Sequence, residues 1–67
     1  MISVRLHEAA SGDEMHINLQ CDTLPRAGEV IVLEKEDVTE RYLIKRIEHR
    51  FGDQIEPPHI AAFVEEE

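Results

Sequence analysis

Two stretches near the start alternate apolar and polar residues, and that period of two constrains the fold more than any other feature of the chain. In "MISVRLHE" the apolar Ile2, Val4 and Leu6 alternate with Ser3, Arg5 and His7. In "MHINLQC" Met15, Ile17, Leu19 and Cys21 alternate with His16, Asn18 and Gln20. Successive side chains of a strand point to opposite faces, so each stretch predicts a strand with one buried face. The turn residues between them, with Gly12-Asp13 as the tightest point, predict a hairpin or adjacent strands.

The chain has 67 residues, room for one domain. A domain this small buries only ~60% of the surface its unfolded chain exposes, so its margin of stability is thin. Cys21 is the only cysteine, which excludes an internal disulfide and suits a reducing, cytoplasmic setting. No basic-then-apolar leader and no long apolar run is present, so neither a signal peptide nor a membrane span is expected. A formal charge of −8 repels phosphate and so disfavours nucleic acid and anionic membrane as partners.

Further along, "DTLPRAGE" reads as a loop in which Pro25 fixes φ and Gly28 supplies the positive φ a turn needs. The run Val30-Ile31-Val32-Leu33 is apolar on both faces, as in a central strand covered on both sides. "EKEDVTE" suits a hairpin connection, and Pro57-Pro58 in "GDQIEPPH" breaks any ladder. "HIAAFV" is a short last strand before an acidic tail at 65–67, leaving residues 1–64 as the single domain.

Residues 37–51 read two ways. Asp37 with Glu40 is a helix-capping pattern, basic residues crowd the far end, and Gly52 sits where a helix would stop. Leu43, Ile44, Ile47 and Phe51 would then share one helical face. Against the helix, Val38, Thr39, Tyr42, Ile44, Ile47 and Phe51 are β-branched or aromatic. As a strand the segment needs a bulge between Ile44 and Ile47 to turn both inward.

The string Leu24-Pro25-Arg26-Ala27-Gly28-Glu29-Val30-Ile31, followed by Tyr42-Leu43-Ile44-Lys45-Arg46-Ile47-Glu48-His49, resembles a pattern of small bacterial and phage β-proteins. These carry a Leu-Pro-Arg-x-Gly-[Asp/Glu]-x-[Ile/Val] turn and a Tyr-x-[Ile/Val]-x-x-[Ile/Val]-x-His strand. The resemblance implies an SH3-like barrel or β-meander with the second segment as a strand, and it implies no activity. It tips 37–51 to strand.

Arg41, Lys45, Arg46, His49 and Arg50 form a candidate partner-binding stripe on an otherwise acidic chain. A nucleic-acid accessory role would use this stripe, yet the only aromatic residues are Tyr42, Phe51 and Phe63, and a core accounts for those. The bland reading is internal compensation by Glu34, Glu36, Glu48 and the glutamate tail. His7, His16, Cys21, His49 and His59 lack metal-ligand spacing, although His49 and His59 could meet across strands. No metal and no cofactor is expected. Cys21 continues the inward parity of Ile17 and Leu19 and reads as a buried packing residue.

No catalytic group is expected either. Cys21 has no orienting partner, Glu36-Asp37 lies in a solvated loop, and "PRAGE" is no phosphate loop. The expectation is therefore an all-β, five-stranded antiparallel meander or partly open SH3-like barrel. Its two central strands are "VIVL" and the segment after it. Functionally it reads as a non-enzymatic protein-interaction or accessory module. The alternatives are a nucleic-acid accessory protein and a metal or thiol site protein. The two-faced "VIVL" strand adds a weak homodimer to the expectation.

Overall fold

A computed structural model describes residues 1–54 and 58–67; Pro57 of the expected break lies outside the described residues. Five strands form, β1 (Ile2–Glu8), β2 (Glu14–Cys21), β3 (Val30–Lys35), β4 (Val38–Arg50) and β5 (His59–Glu66). They lie in one sheet in the order β2-β1-β5-β4-β3, curled into a half-barrel. Among the described residues no helix is long and apolar enough to cross a membrane.

The all-β, five-stranded architecture follows the strand periods. The pairing differs from expectation in two respects. β1 and β5 run parallel, Val4 opposite Ile60 through Glu8 opposite Val64, so the sheet is mixed rather than wholly antiparallel. The strand order also excludes a simple meander, because the chain leaves one sheet edge after β2 and re-enters at the other as β3.

A further correction concerns the centre. The strand buried on both faces is β5, where Ala61, Ala62, Phe63 and Val64 are all buried, and "VIVL" is an edge strand. A central strand must be apolar on successive residues because both faces are covered, which is how "HIAAFV" reads in retrospect. β5 also runs through Glu66, with Glu65 opposite Leu43 and Glu66 opposite Tyr42, so most of the acidic tail belongs to the ladder.

Residues 38–50 are strand throughout. Ile44 pairs with Val64 and Arg46 with Phe63, leaving Lys45 as the extra residue of a bulge. This insertion reverses side-chain parity, so Ile44 and Ile47 both face inward as their spacing required. The concave core joins Val4 and Leu6 of β1, Tyr42 and Ile44 of β4, and Ala62 and Val64 of β5. Burying each larger apolar side chain contributes ~1.5–3 kcal/mol. Met15, Ile17, Leu19 and Cys21 from β2 and Ile31 and Leu33 from β3 rim this core half-buried. Cys21 thus packs inward as its parity predicts, but at the rim rather than inside.

Candidate functional site

The five basic residues of the expected stripe do not form one surface. The Lys45 bulge places Arg46, Glu48 and Arg50 on the convex face, above Phe63 of the central strand. The Arg46 guanidinium lies 3.9 Å from the Phe63 ring centroid and that of Arg50 lies 5.5 Å away. Glu48 accepts 3.0 Å hydrogen bonds from Arg46 Nε and Arg50 Nη2. These bonds, Arg46 first and Arg50 second, hold the Glu48 carboxyl below the usual carboxylate range.

On the other side of Phe63 the parallel register brings His7, its ring centroid 4.9 Å away. His7 Nδ1 lies 3.2 Å from the Gly12 carbonyl, which can only accept, so that nitrogen carries the proton. Its Nε2 is buried without a hydrogen-bond partner. The row His7–Phe63–Arg46 is a clamp on the convex face, with cation–π attraction holding the arginine over the ring. Phe63 is only 2% exposed, so its face offers nothing for a base to stack on.

The remaining members of the stripe diverge. Lys45 pairs with Glu65 at 3.6 Å. Arg41 lies opposite Val32, and its carbonyl accepts the Glu67 N–H at 3.0 Å. His49 lies opposite Ile60 while His59 lies opposite Arg50, so the two histidines belong to opposite faces. Tyr42 is buried like Phe63, but Phe51, expected in the core, is 72% exposed.

A cleft of about 520 Å³ opens beside the concave core, between Glu8, Ala9, Met15, Tyr42, Glu65 and Glu66. The Tyr42 hydroxyl donates to Glu40. That bond first, then burial, pushes the phenol up to about 12, so Tyr42 is a fixed donor and not a base. The cleft places carboxylates around an apolar floor without an activated nucleophile beside a base. Among the described residues no three His, Cys, Asp or Glu side chains are grouped to hold a metal.

The remaining site is the β3 edge. Arg26 to Glu29 form a turn in which the Glu29 N–H reaches the Arg26 carbonyl (3.2 Å) and Gly28 has φ +94°. Positive φ at the third residue is what a type II turn demands, hence glycine. Pro25 precedes this turn, and the Glu29 carboxylate accepts the Arg26 N–H at 2.7 Å. Gly28 N–H donates to the Ile44 carbonyl (2.8 Å) and Ile44 N–H to the Glu29 carbonyl (2.9 Å). Two residues against one, led by a left-handed glycine, is a G1 bulge, and it locks β3 onto β4.

That lock determines which backbone groups β3 leaves open. Ile44 spends both of its groups on β3, and antiparallel ladders alternate inward and outward residues. Tyr42 and Glu40 therefore face β3, while Arg41 faces β5, consistent with its bond to Glu67. On β3, opposite Leu43, Arg41 and Thr39, the residues Val30, Val32 and Glu34 turn their N–H and C=O groups away from β4. No strand among the described residues lies on that side. The side chains are exposed too, Val30 at 40% and Val32 at 42%.

Beyond Arg41 no third strand among the described residues joins the β3–β4 hairpin, which projects as a ribbon with Val38 exposed near its tip. The two-faced apolar pattern of "VIVL" was the signal for this edge, but alternation alone does not say which strands are neighbours. Comparison of the chain with protein-family models, with curated proteins and with solved structures returned no match.

Proposed function

We propose that this chain is a small non-enzymatic protein-interaction module, acting in the cytoplasm, whose interacting element is the open edge of β3. One observation carries the reading: three successive outward-turned backbone positions, Val30, Val32 and Glu34, in unbroken register beside exposed valines. Strand addition to such an edge draws affinity from main-chain hydrogen bonds and specificity from alternate side chains. A nucleic-acid role has less support, because Arg46 and Arg50 are engaged with Glu48 and Phe63 and the net charge opposes phosphate.

The test is affinity capture from native cells with wild-type, Val32→Pro and Arg46→Glu baits. Proline at position 32 removes an outward N–H without touching the β4 ladder. Proteins retained by wild type and Arg46→Glu but lost with Val32→Pro support the edge. Loss with Arg46→Glu alone would move the binding surface to the convex face and overturn the reading.

A further inference from the structure

The β3 edge also carries a pattern that names one partner. We propose that two copies of this chain pair β3 to β3 in antiparallel fashion about a two-fold axis at Val32, continuing the sheet across the axis. The proposal rests on the reading of β3 as the interaction edge and adds the identity of what occupies it.

The argument begins with the backbone. A symmetric antiparallel pair must match outward-turned residues with one another, and here those are Val30, Val32 and Glu34. Centring the axis on Val32 matches all three, Val32 with its own copy and Val30 with Glu34 of the second copy. Moving the axis to Ile31 or Leu33 leaves one outward residue of each chain without an outward mate from this set.

Side chains choose the same register. With the axis at Val32, Ile31 meets Leu33 on the concave side, and Glu29 meets Lys35 at each end. The segment Glu29-Val30-Ile31-Val32-Leu33-Glu34-Lys35 is thus charge-complementary to its own reverse at its two ends, while Val30 meets Glu34 between them. An axis at Leu33 would set Ile31 against Lys35, and one at Ile31 would set Glu29 against Leu33. Opposite charges directly across an antiparallel pair are favourable, and of the three axes only that at Val32 supplies them within residues 29–35, alongside two Val30–Glu34 pairings that gain nothing. Glu29 already spends one carboxylate oxygen on the Arg26 N–H, which leaves the other for Lys35 of the second copy.

Surface area sets the scale. The chain exposes 4887 Å², whereas a compact monomer of its mass exposes about 4300 Å². That excess belongs to the open half-barrel as a whole, and an edge contact over one short strand covers only part of it. Such a contact, opposed by two like net charges of −8, forms a weak dimer that tightens as salt screens the repulsion.

Register-specific cross-linking and sedimentation equilibrium test the proposal on the full chain. In a Cys21→Ala background, Val32→Cys lies on the axis and is expected to give a disulfide-linked dimer under mild oxidation. Val30→Cys, separated from its own copy by roughly 13 Å in this register, is expected to stay monomeric. Lys35→Glu should weaken the dimer roughly fivefold by facing Glu29 with a like charge, and adding Glu29→Lys should restore it. Preferential cross-linking through Ile31→Cys or Leu33→Cys would overturn the register. A monomer near millimolar concentration at both low and high salt would overturn self-pairing. If that monomer still captures a partner that Val32→Pro loses, strand addition stands without the dimer. If Val32→Pro loses nothing, both readings fall.

Discussion

Strand β2 closes one side of the sheet with an irregular backbone, and β3 closes the other with a regular one. Between Arg5 opposite Asn18 and His7 opposite Glu14, β1 advances two residues while β2 advances four. His16 sits in that excess with φ +60°, and the convex-side residues Glu14, His16, Asn18 and Gln20 are polar and exposed. β3 pairs from Val30 to Lys35 without a shift and presents valines at the corresponding places. Bulges and polar outward residues blunt an edge against further strands, and their absence leaves it receptive. The contrast teaches that one sheet can protect one edge and offer the other through local backbone geometry and the side chains that geometry turns outward.

The largest expected effect comes from prolines at adjacent β3 positions. Ile31 directs its N–H at β4, whereas Val32 directs it outward. Ile31→Pro therefore breaks the ladder and strands a partner carbonyl, which should cost ~2–4 kcal/mol. Val32→Pro should stay within about 1 kcal/mol of wild type. Urea unfolding at low micromolar concentration, where a weak dimer would be dissociated, checks the pair. Equal losses at the two positions would mean that β3 has no open side.

A smaller effect separates the two sides of the sheet by pH. Tyr42 lies opposite Ile31 of β3 and Glu66 of β5, remote in the sheet order from β2. Its phenol is pushed up to about 12 in the folded chain by the bond to Glu40, by burial and by the charges of Glu40 and Glu66. The unfolded phenol titrates near 10. The folded state thus retains the proton longer, and this contribution is complete below pH ~10 and lost as pH rises from ~10 to ~12. Urea midpoints should fall over that window in wild type and less in Tyr42→Phe. The Ile31 methyl resonances, on the residue paired directly with Tyr42, should move with the titration more than those of Ile17, which packs against the same core from β2. Equal movement at both would mean that the phenol reports on the whole core and not on the β3 side.

Much of the fold was legible in residue types. The alternation of Ile2, Val4 and Leu6 assigned faces in β1, and the spacing of Ile44 and Ile47 demanded the Lys45 bulge. Parity gives faces but not neighbours, however, and so "VIVL" reads as central while the true centre is Ala61 to Val64. The convex clamp was invisible for the same reason. His7 meets Phe63 only through a parallel pairing of the first and last strands, and Arg46 joins them only after the bulge resets its side. The open edge was half legible: its apolar residues were evident, while the outward turn of Val30, Val32 and Glu34 depended on the Gly28–Ile44 lock.

The smallest effects concern the two non-glycine residues with positive φ among the described residues, His16 at +60° in the β2 bulge and Glu36 at +48° in the turn closing β3. A side chain in that region crowds the following carbonyl by roughly 1–2 kcal/mol. Glycine relieves this but loses more entropy on folding, so each substitution should net only ~0.5 kcal/mol of stability. For a domain of this size that is about 3 °C in Tm. Glu36→Gly acts in a two-residue hairpin loop that favours glycine, and it leaves the β3 edge as it was. His16→Gly makes the bulge easier to hold, so β2 should stay blunt and self-association should not change. His16→Val is the sharper companion. A β-branched residue resists positive φ and pushes β2 towards regular register, so it should lower Tm and promote association through β2. Thermal unfolding with sedimentation on the three variants decides the matter. A His16→Val chain as stable and as monomeric as wild type would mean that the bulge does not guard that edge.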